Sequence, residues 1–359
     1  MPLVHILCRL RPSTSPHIVV ADTEKNTIIS SERGEEYHFK AVFGPEDAVE
    51  QEIYQNNLKG VLEKHSTVTV AFYGQTGAGK TTTFCGGDQA NGGLLSLFLQ
   101  DAFVGGTSFT INATDIYNAK THQLLLGQVV SSAEEAHVVV ARLMKQRKTA
   151  STLANVCSSR SHLICSFTNP NKVVTFIDLA GSERLEVTGT DPTRRQEAIN
   201  INKSLTSLRD VIESLSQGKH HIPFRNSPLT MALKEYLMMK PQTSDPHSQG
   251  AFVLVLCCSP SERATIDTLR FGRTATKMSR GINVRNRARL IISKMKPTEP
   301  TPSPLERIVE LENALKTCQA ELQEEKSKKR KNQCGICGER GHNKRRCTRG
   351  LPSEEGVEA

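Results

Sequence analysis

The chain has 359 residues, a formal net charge of +9 and ten cysteines, long enough for a sizeable core, with about two domains as a soft expectation. Seven cysteines are scattered and three cluster near the C-terminus, MPLVHILCRLRP is too short an apolar run for a secretory signal, and no stretch approaches the roughly 18 apolar residues of a membrane span. A secreted disulfide scaffold and a membrane protein are therefore not expected, and a reducing, intracellular compartment is.

The first strong signal in chain order is STVTVAFYGQTGAGKTTTF, residues 66–84. Its β-branched and apolar start predicts a buried strand, and Gly74, Gly77 and Gly79 forbid continuation. The spacing Gly74-Gln75-Thr76-Gly77-Ala78-Gly79-Lys80-Thr81 fits G-x-x-x-x-G-K-[ST], whose successive backbone N–H groups form a concave anion site ahead of a helix. Lys80 is placed to reach β- and γ-phosphates and Thr81 to put a hydroxyl on magnesium. NVCSSRSH (155–162) follows, a polar run between helix-like and strand-like segments that can serve phosphate, magnesium and water together. KVVTFIDLAGSER (172–184) is a second buried-strand run with Asp178 at its C-terminal end, where an α/β sheet presents residues to ligand. Asp178 can hold magnesium through water, and Gly181 can turn its N–H toward a γ-phosphate.

Taken in this order, GQTGAGKT, NVCSSRSH and DLAGSE resemble the phosphate loop, switch I and switch II of the kinesin motor domain. The resemblance extends to CRLRP (8–12), FKAVFGPEDAVEQEIY (39–54), DIYNAKTHQLL (115–125, similar to the family's central strand and loop), EAININKSLTSLRDVIESL (197–215), HIPFRNSPLT (221–230) and IDTLRFGRTATKM (266–278), roughly residues 3 to 285. It implies an α/β fold of the P-loop NTPase type, with a mixed eight-stranded central sheet and helices on both faces. It implies ATP and Mg2+ as ligands, ATPase activity, and microtubules (tubulin) as partner, in the cytoplasm on the cytoskeleton. Residue by residue it assigns Arg9 and Pro12 to the adenine side, and Gly74, Gln75, Thr76, Gly77, Ala78, Gly79, Lys80, Thr81 and Thr82 to phosphates and magnesium. Asn155, Ser158 and Ser159 fall in switch I, Ser159 joining Thr81 at magnesium, with Asp178 and Gly181 as γ-phosphate sensors. Arg160 and Glu183 are expected to form an ion pair between the switches, closing the site around ATP. The segment 197–215 is expected to be the long filament-side helix, with Ala198, Ile201, Leu205, Leu208, Ile212 and Leu215 on one apolar face.

Departures from the family are concentrated on the filament side. Ala119 stands where an acidic residue is usual, GLLSLF (93–98) lacks a Pro-Arg pair, and Pro228 and Met231 occupy places usually held by Lys and Arg. Pro228 after Ser227 suits a first helical residue following an N-cap, so the helix survives while its charge does not.

Beyond the motor-like part, residues 286–304 form a basic, then proline-rich linker. Residues 305–325 predict a short helix in which Ile308, Leu311, Leu315, Cys318 and Leu322 fit a/d spacing for about two heptads. A coiled-coil homodimer and a single amphipathic helix both remain open. In 326–359, CGICGERGHNKRRC places Cys334, Cys337, His342 and Cys347 at C-x2-C-x4-H-x4-C, a closed Zn2+ set resembling a zinc knuckle. Residues 326–349 carry ten Lys or Arg against one acid, Glu339, so the rest of the chain is balanced. The tail therefore has either an anionic or protein cargo of its own, nucleic acid included and with the nucleus or spindle as a location, or is a solvated charge run. An ATP-driven motor with a cargo tail is the leading expectation. A weakly motile tether of the same fold is the alternative, and an unrelated P-loop signalling switch is disfavoured by the 197–215 segment.

Overall fold

The computed structural model describes residues 3–32, 34–45, 49–86, 92–104, 106–149, 159–183, 192–238 and 250–278, with short helical pieces between 312 and 320. In chain order it runs β1 (Leu3–Leu10), β2 (Val19–Asp22), β3 (Thr27–Ser30), β4 (Glu36–His38), β5 (Ala41–Phe43), α1 (Val49–Ile53), a π-helical turn (Tyr54–Leu58) and α2 (Lys59–Lys64). It continues with β6 (Thr67–Tyr73), α3 (Lys80–Cys85), α4 (Gly93–Ala102), β7 (Phe109–Tyr117), β8 (Lys120–Val130), α5 (Ala133–Thr149), β9 (Ser161–Asn169) and β10 (Lys172–Asp178). Then come α6 (Pro192–Ser216), a 3-10 turn (Phe224–Asn226), α7 (Pro228–Leu237), β11 (Ala251–Cys258) and α8 (Ala264–Ala275).

Eight strands form one sheet in the order β5-β1-β11-β6-β10-β9-β7-β8. The block from β5 to β10 is parallel, and β9, β7 and β8 add antiparallel neighbours, so the sheet is mixed as expected. The composition explains the placement. In β11, AFVLVLCC, every residue is buried, as a strand covered on both faces requires. In β8, KTHQLLLGQVV, only the last residue is fully buried, which suits an edge. One apolar layer packs α1 to α5 against one face, and a second packs α6, α7 and α8 against the other. β2, β3 and β4 form a separate small sheet.

Two sequence expectations are corrected. The stretch 115–125 is not a central strand and loop but the β7–β8 hairpin at the sheet's edge, turning at Asn118 and Ala119 with φ of 49° and 60°. Both positive φ values fit a two-residue hairpin turn whose twist matches its strands. The long helix expected over 197–215 is α6 and is longer, running from Pro192 to Ser216. Its apolar face is as expected, with Ala198, Ile201, Leu205, Leu208, Ile212 and Leu215 buried, and Val211 joins them.

Two compact units are present, Met1–Leu290 and Ile291–Ala359. In the second, the described pieces are helical and Leu315 is exposed. Ile308, Leu311, Cys318, Leu322 and the four predicted zinc ligands, Cys334, Cys337, His342 and Cys347, lie outside the described residues, as do Asn155 and Ser158.

Candidate nucleotide site

β6 lies between β11 and β10 in the parallel block, so the loop after it opens at the C-terminal edge where α/β sheets take ligands. Gly74 adopts φ 155°, and a Cβ there would lie 2.0 Å from the Cys257 carbonyl oxygen. No side chain fits between loop and strand. α3 begins at Lys80, whose side chain is buried and donates from Nζ to the Gly74 and Gln75 carbonyls at 2.9 Å each. Burial pulls the ammonium's pKa below its ordinary value, with the Asp178 carboxylate opposing it. Two neutral carbonyls thus hold a cation that a phosphate would hold better.

Thr81 donates from Oγ1 to Asp178 Oδ2 at 2.9 Å. Asp178 is fully buried, and its Oδ1 has no hydrogen-bond partner among the described residues. A hydroxyl beside a buried carboxylate with an idle oxygen fits a hydrated magnesium ion, so the donor set matches the expected cofactor. No group of three or more His, Cys, Asp or Glu among the described residues is arranged to hold a metal by itself.

The residue that sequence reasoning missed is Arg147 on α5. It is fully buried and donates from Nη1 to Asp178 Oδ2 at 2.7 Å, from Nε to Ser161 Oγ at 3.2 Å and from Nη2 to the Ser161 carbonyl at 3.0 Å. Its Nε also lies 3.6 Å from Asp115 Oδ1 of β7. Burial raises the Asp115 pKa, and the Arg147 charge opposes that rise. A signal was present, because Ala136, Val140, Leu143 and Met144 form the buried stripe of α5 and Arg147 continues it at helical spacing. A guanidinium on a core face demands a buried carboxylate.

The predicted ion pair between the switches is not formed here. Arg160 Nη1 instead meets Glu197 Oε2 of α6 at 2.7 Å. Glu183 turns to the phosphate loop, accepting from the Thr76 backbone N–H at 2.8 Å and from the Thr76 hydroxyl. The Gly181 N–H, expected to face a γ-phosphate, donates to the Ser159 carbonyl at 2.8 Å. A Cβ on Gly181 would lie 2.3 Å from Thr76 Oγ1 and would displace the Thr76 and Glu183 side chains that meet there. Each partner of the expected pair is thus held by another group.

His162, two residues beyond Arg160, joins the second switch to α6. Its Nδ1 accepts from the Ala180 backbone N–H at 3.0 Å, which leaves Nε2 to donate to Ser204 Oγ at 2.8 Å, and Ser204 donates on to the Ile201 carbonyl at 2.8 Å. Burial, then the Arg147 and Lys80 charges, pull its pKa from 6.5 to about 3. The unfolded chain therefore binds the imidazole proton first, and stability is lost as pH falls below about 6.5, at about 1.4 kcal/mol per pH unit for one group. Urea midpoints measured from pH 7 to pH 5 are expected to show this slope. His162→Gln should remove one proton's worth of it, while His5, lowered to about 4 mainly by burial, retains its own share.

On the expected adenine side the two arginines of CRLRP are placed differently. Arg9 is buried, pairs with Glu50 at 3.2 Å and packs its Nη1 against Gly79, so it braces the phosphate loop from behind. The residue facing the cleft is Arg11. With Pro12 and the rest of 11–15, Ser261 and Glu262, it lines an open cleft of about 490 Å3. Glu262 accepts from Arg11 Nη2 at 3.1 Å and from the Gln75 side-chain amide.

On the opposite side, α7 begins as expected, with Ser227 as N-cap accepting from the Thr230 N–H and Pro228 in the first turn. Met231 is 48% exposed, Pro228 is half-buried, and Arg225 and Lys234 are exposed beside them.

The phosphate loop after a parallel strand, the Lys80–Thr81–Asp178 cluster and the linked switch segments define a P-loop nucleotide-binding protein. The family model described as Kinesin motor domain matches residues 11–129 and 125–278, and the chain belongs to that family. It is 30% identical over 351 residues to Kinesin-related protein 3 of Dictyostelium discoideum, covering 81% of this chain and 28% of that protein. It is 31% identical over 330 residues to the Kinesin heavy chain of Drosophila melanogaster, covering 76% of this chain and 33% of that one. The chain thus spans about a third or less of these relatives. Among solved structures, one titled as a fast kinesin, with implications for ATPase mechanism and interactions with microtubules, superposes with a TM-score of 0.63 at 27% identity, covering 76% of this chain and 91% of that one. A KIF14 dimer in complex with a microtubule superposes with the same TM-score at 24% identity, covering 77% and 94%, which bears on fold alone.

Proposed function

We propose that this chain is a microtubule-stimulated ATPase that couples ATP hydrolysis to filament binding, movement or force in the cytoplasm. The observation that carries the reading is the buried Lys80–Thr81–Asp178 cluster with its idle Asp178 oxygen. When bound, magnesium neutralises phosphate charge next to Thr81 and Asp178. Lys80 exchanges the Gly74 and Gln75 carbonyls for substrate phosphate oxygens. Gly181 leaves the Ser159 carbonyl to donate to the γ-phosphate, Glu183 leaves Thr76, and Arg160 leaves Glu197 to meet it. Arg160 thereby releases the second turn of α6 at Glu197, and His162 carries the shift of Ala180 to Ser204 in the middle of the same helix. Steady-state ATPase with and without microtubules tests this. Turnover that microtubules do not change removes the filament half of the reading.

The filament face carries its own expectation. Pro228→Lys with Met231→Arg adds two exposed cations and should tighten microtubule binding by about threefold to tenfold at low salt, fading as salt rises. Co-sedimentation across a salt series measures it, and no change shows that this surface is not the contact. The exposed Met231 is the observation favouring the weakly motile tether as the second reading.

The tail reading rests on spacing and charge. Cys334, Cys337, His342 and Cys347 hold a structural zinc ion, and the basic run beside them anchors a nucleic acid or protein cargo through charge. Metal analysis of the full chain should give one zinc per chain, lost in Cys337→Ser with ATPase unchanged. An absence of stoichiometric zinc in the parent chain removes the knuckle.

A further inference from the structure

The sheet edge opposite the phosphate loop holds an open hollow of about 700 Å3, a volume in the range of small-molecule sites. It lies where β6, β7 and β10 begin and β9 ends, away from Lys80 at the other ends of the parallel strands. Its apolar lining is Leu62, Phe98 and Phe109, all buried, and Val104 at its lip is 77% exposed. One wall is built by the π-helical turn, in which the Lys59 backbone N–H donates to the Tyr54 carbonyl. Positions three and four apart share a face of an α-helix, and this wider turn brings positions five apart together. Tyr54 Oη and Lys59 Nζ thereby both reach Asp101 Oδ2 of α4, at 3.0 and 2.9 Å, and satisfy that carboxylate. The opposite wall is cationic. Lys172 is half-buried and donates from Nζ to the Leu62 carbonyl, and burial lowers its pKa with the Glu63 charge opposing. Lys64 stands on the same wall, and after burial its charge is what lowers the pKa of Lys40 behind it. No carboxylate among the described residues forms an ion pair with Lys40, Lys64 or Lys172.

We propose that this hollow is a second ligand site, one that takes a small aromatic acid, with the ring on Leu62, Phe98 and Phe109 and the anionic group at Lys172 and Lys64. The charges select the occupant. A ligand cation would find Asp101 already held by two donors and only the exposed Glu63 to meet. An anion meets Lys172, which gives one N–H to the Leu62 carbonyl and keeps others to give, and it meets Lys64 beside it. The half-buried position of Lys172 screens that pair less than open solvent would. A bare inorganic anion leaves the apolar lining in water, and an uncharged ring leaves both ammonium groups without a counter-ion. A ring that carries one acid uses the two halves of the hollow together.

Fluorescence titration of the full chain with 8-anilinonaphthalene-1-sulfonate, and with its uncharged analogue N-phenyl-1-naphthylamine, tests this, the fold of each variant being checked by its melting curve. The parent should take one sulfonate probe per chain, about fivefold to tenfold more tightly than the uncharged one at low salt, as two partly exposed ion pairs allow. Lys64→Gln combined with Lys172→Gln should bring the two probes level by weakening the sulfonate alone. Val104→Asp, which sets a like charge at the lip, should weaken the sulfonate, whereas Val138→Asp, at a valine 69% exposed on α5, should not. Mg-ATP should leave the bound probe in place, and naphthalene-1-sulfonate should displace it at concentrations where inorganic sulfate does not. An absence of saturable binding, a sulfonate preference that survives the double variant, equal loss in the two aspartate variants, or displacement by Mg-ATP overturns the site. Inorganic sulfate as effective as naphthalene-1-sulfonate overturns the aromatic class of ligand.

Discussion

Lys80→Ala is expected to lower ATP turnover by about a hundredfold to a thousandfold or more while the fold persists, because its ammonium is set inside the phosphate loop. The side chain is buried on its carbonyl partners at 2.9 Å, and burial already disfavours its charge. The cost of burying the charge offsets what its two hydrogen bonds contribute, so the folded state gains little from it. Thermal melts of the variant should stay within a few degrees of the parent, whereas phosphate oxygens lose the charge that pulls on them during transfer. Steady-state ATPase and a circular dichroism melt on one preparation separate the two effects. Unchanged turnover with an intact melt would remove Lys80 from the chemistry and the enzyme reading with it.

The parts of the site fixed by backbone needs were legible in the sequence. Gly74 must be glycine because a Cβ would collide with Cys257, and a lysine after Gly79 has one common use beside such a loop. α6 was legible for a different reason, since six apolar residues at helical spacing bury one face whatever lies opposite. Sheet order was not, because β6 pairs with β10 and β11, partners more than a hundred residues away that alternation of side chains does not name. The 115–125 stretch was read as central from resemblance alone, and its place at the β8 edge depends on pairings that no local pattern names. The switch ion pair failed on state: Arg160 and Glu183 each have a second suitable partner, Glu197 and Thr76, and sequence does not say which is held when the site is open. Arg9 and Arg11 were separable only in three dimensions, since Arg9 lies within β1 and pairs with Glu50, whereas Arg11 lies beyond the strand's end and meets Glu262.

Arg147 carries the largest expected effect on stability. Its guanidinium is the cation of a buried cluster whose anions, Asp178 and Asp115, are both nearly inaccessible to water. Replacing it by Met keeps much of the volume and strands two carboxylates in a region that already pushes the Asp115 pKa upward by burial. Breaking a buried pair from one side costs about 3–5 kcal/mol, and for a unit of this size that is a fall in melting temperature of about 10 °C. Arg147→Lys should fall between parent and Met, since an ammonium keeps the charge but cannot hold Asp178, Ser161 Oγ and the Ser161 carbonyl at once as the planar fork does. The two variants should also differ in their response to acid. Protonation of the stranded Asp115 carboxyl, already raised by burial and no longer opposed by Arg147, relieves the Met variant, so its deficit relative to the parent should shrink as pH falls from 7 to 5. Melts of the three proteins across that range decide the matter. A loss of only two or three degrees at pH 7, constant with pH, would mean that water or another cation compensates the two carboxylates, and that Arg147 is a packing residue and not their partner.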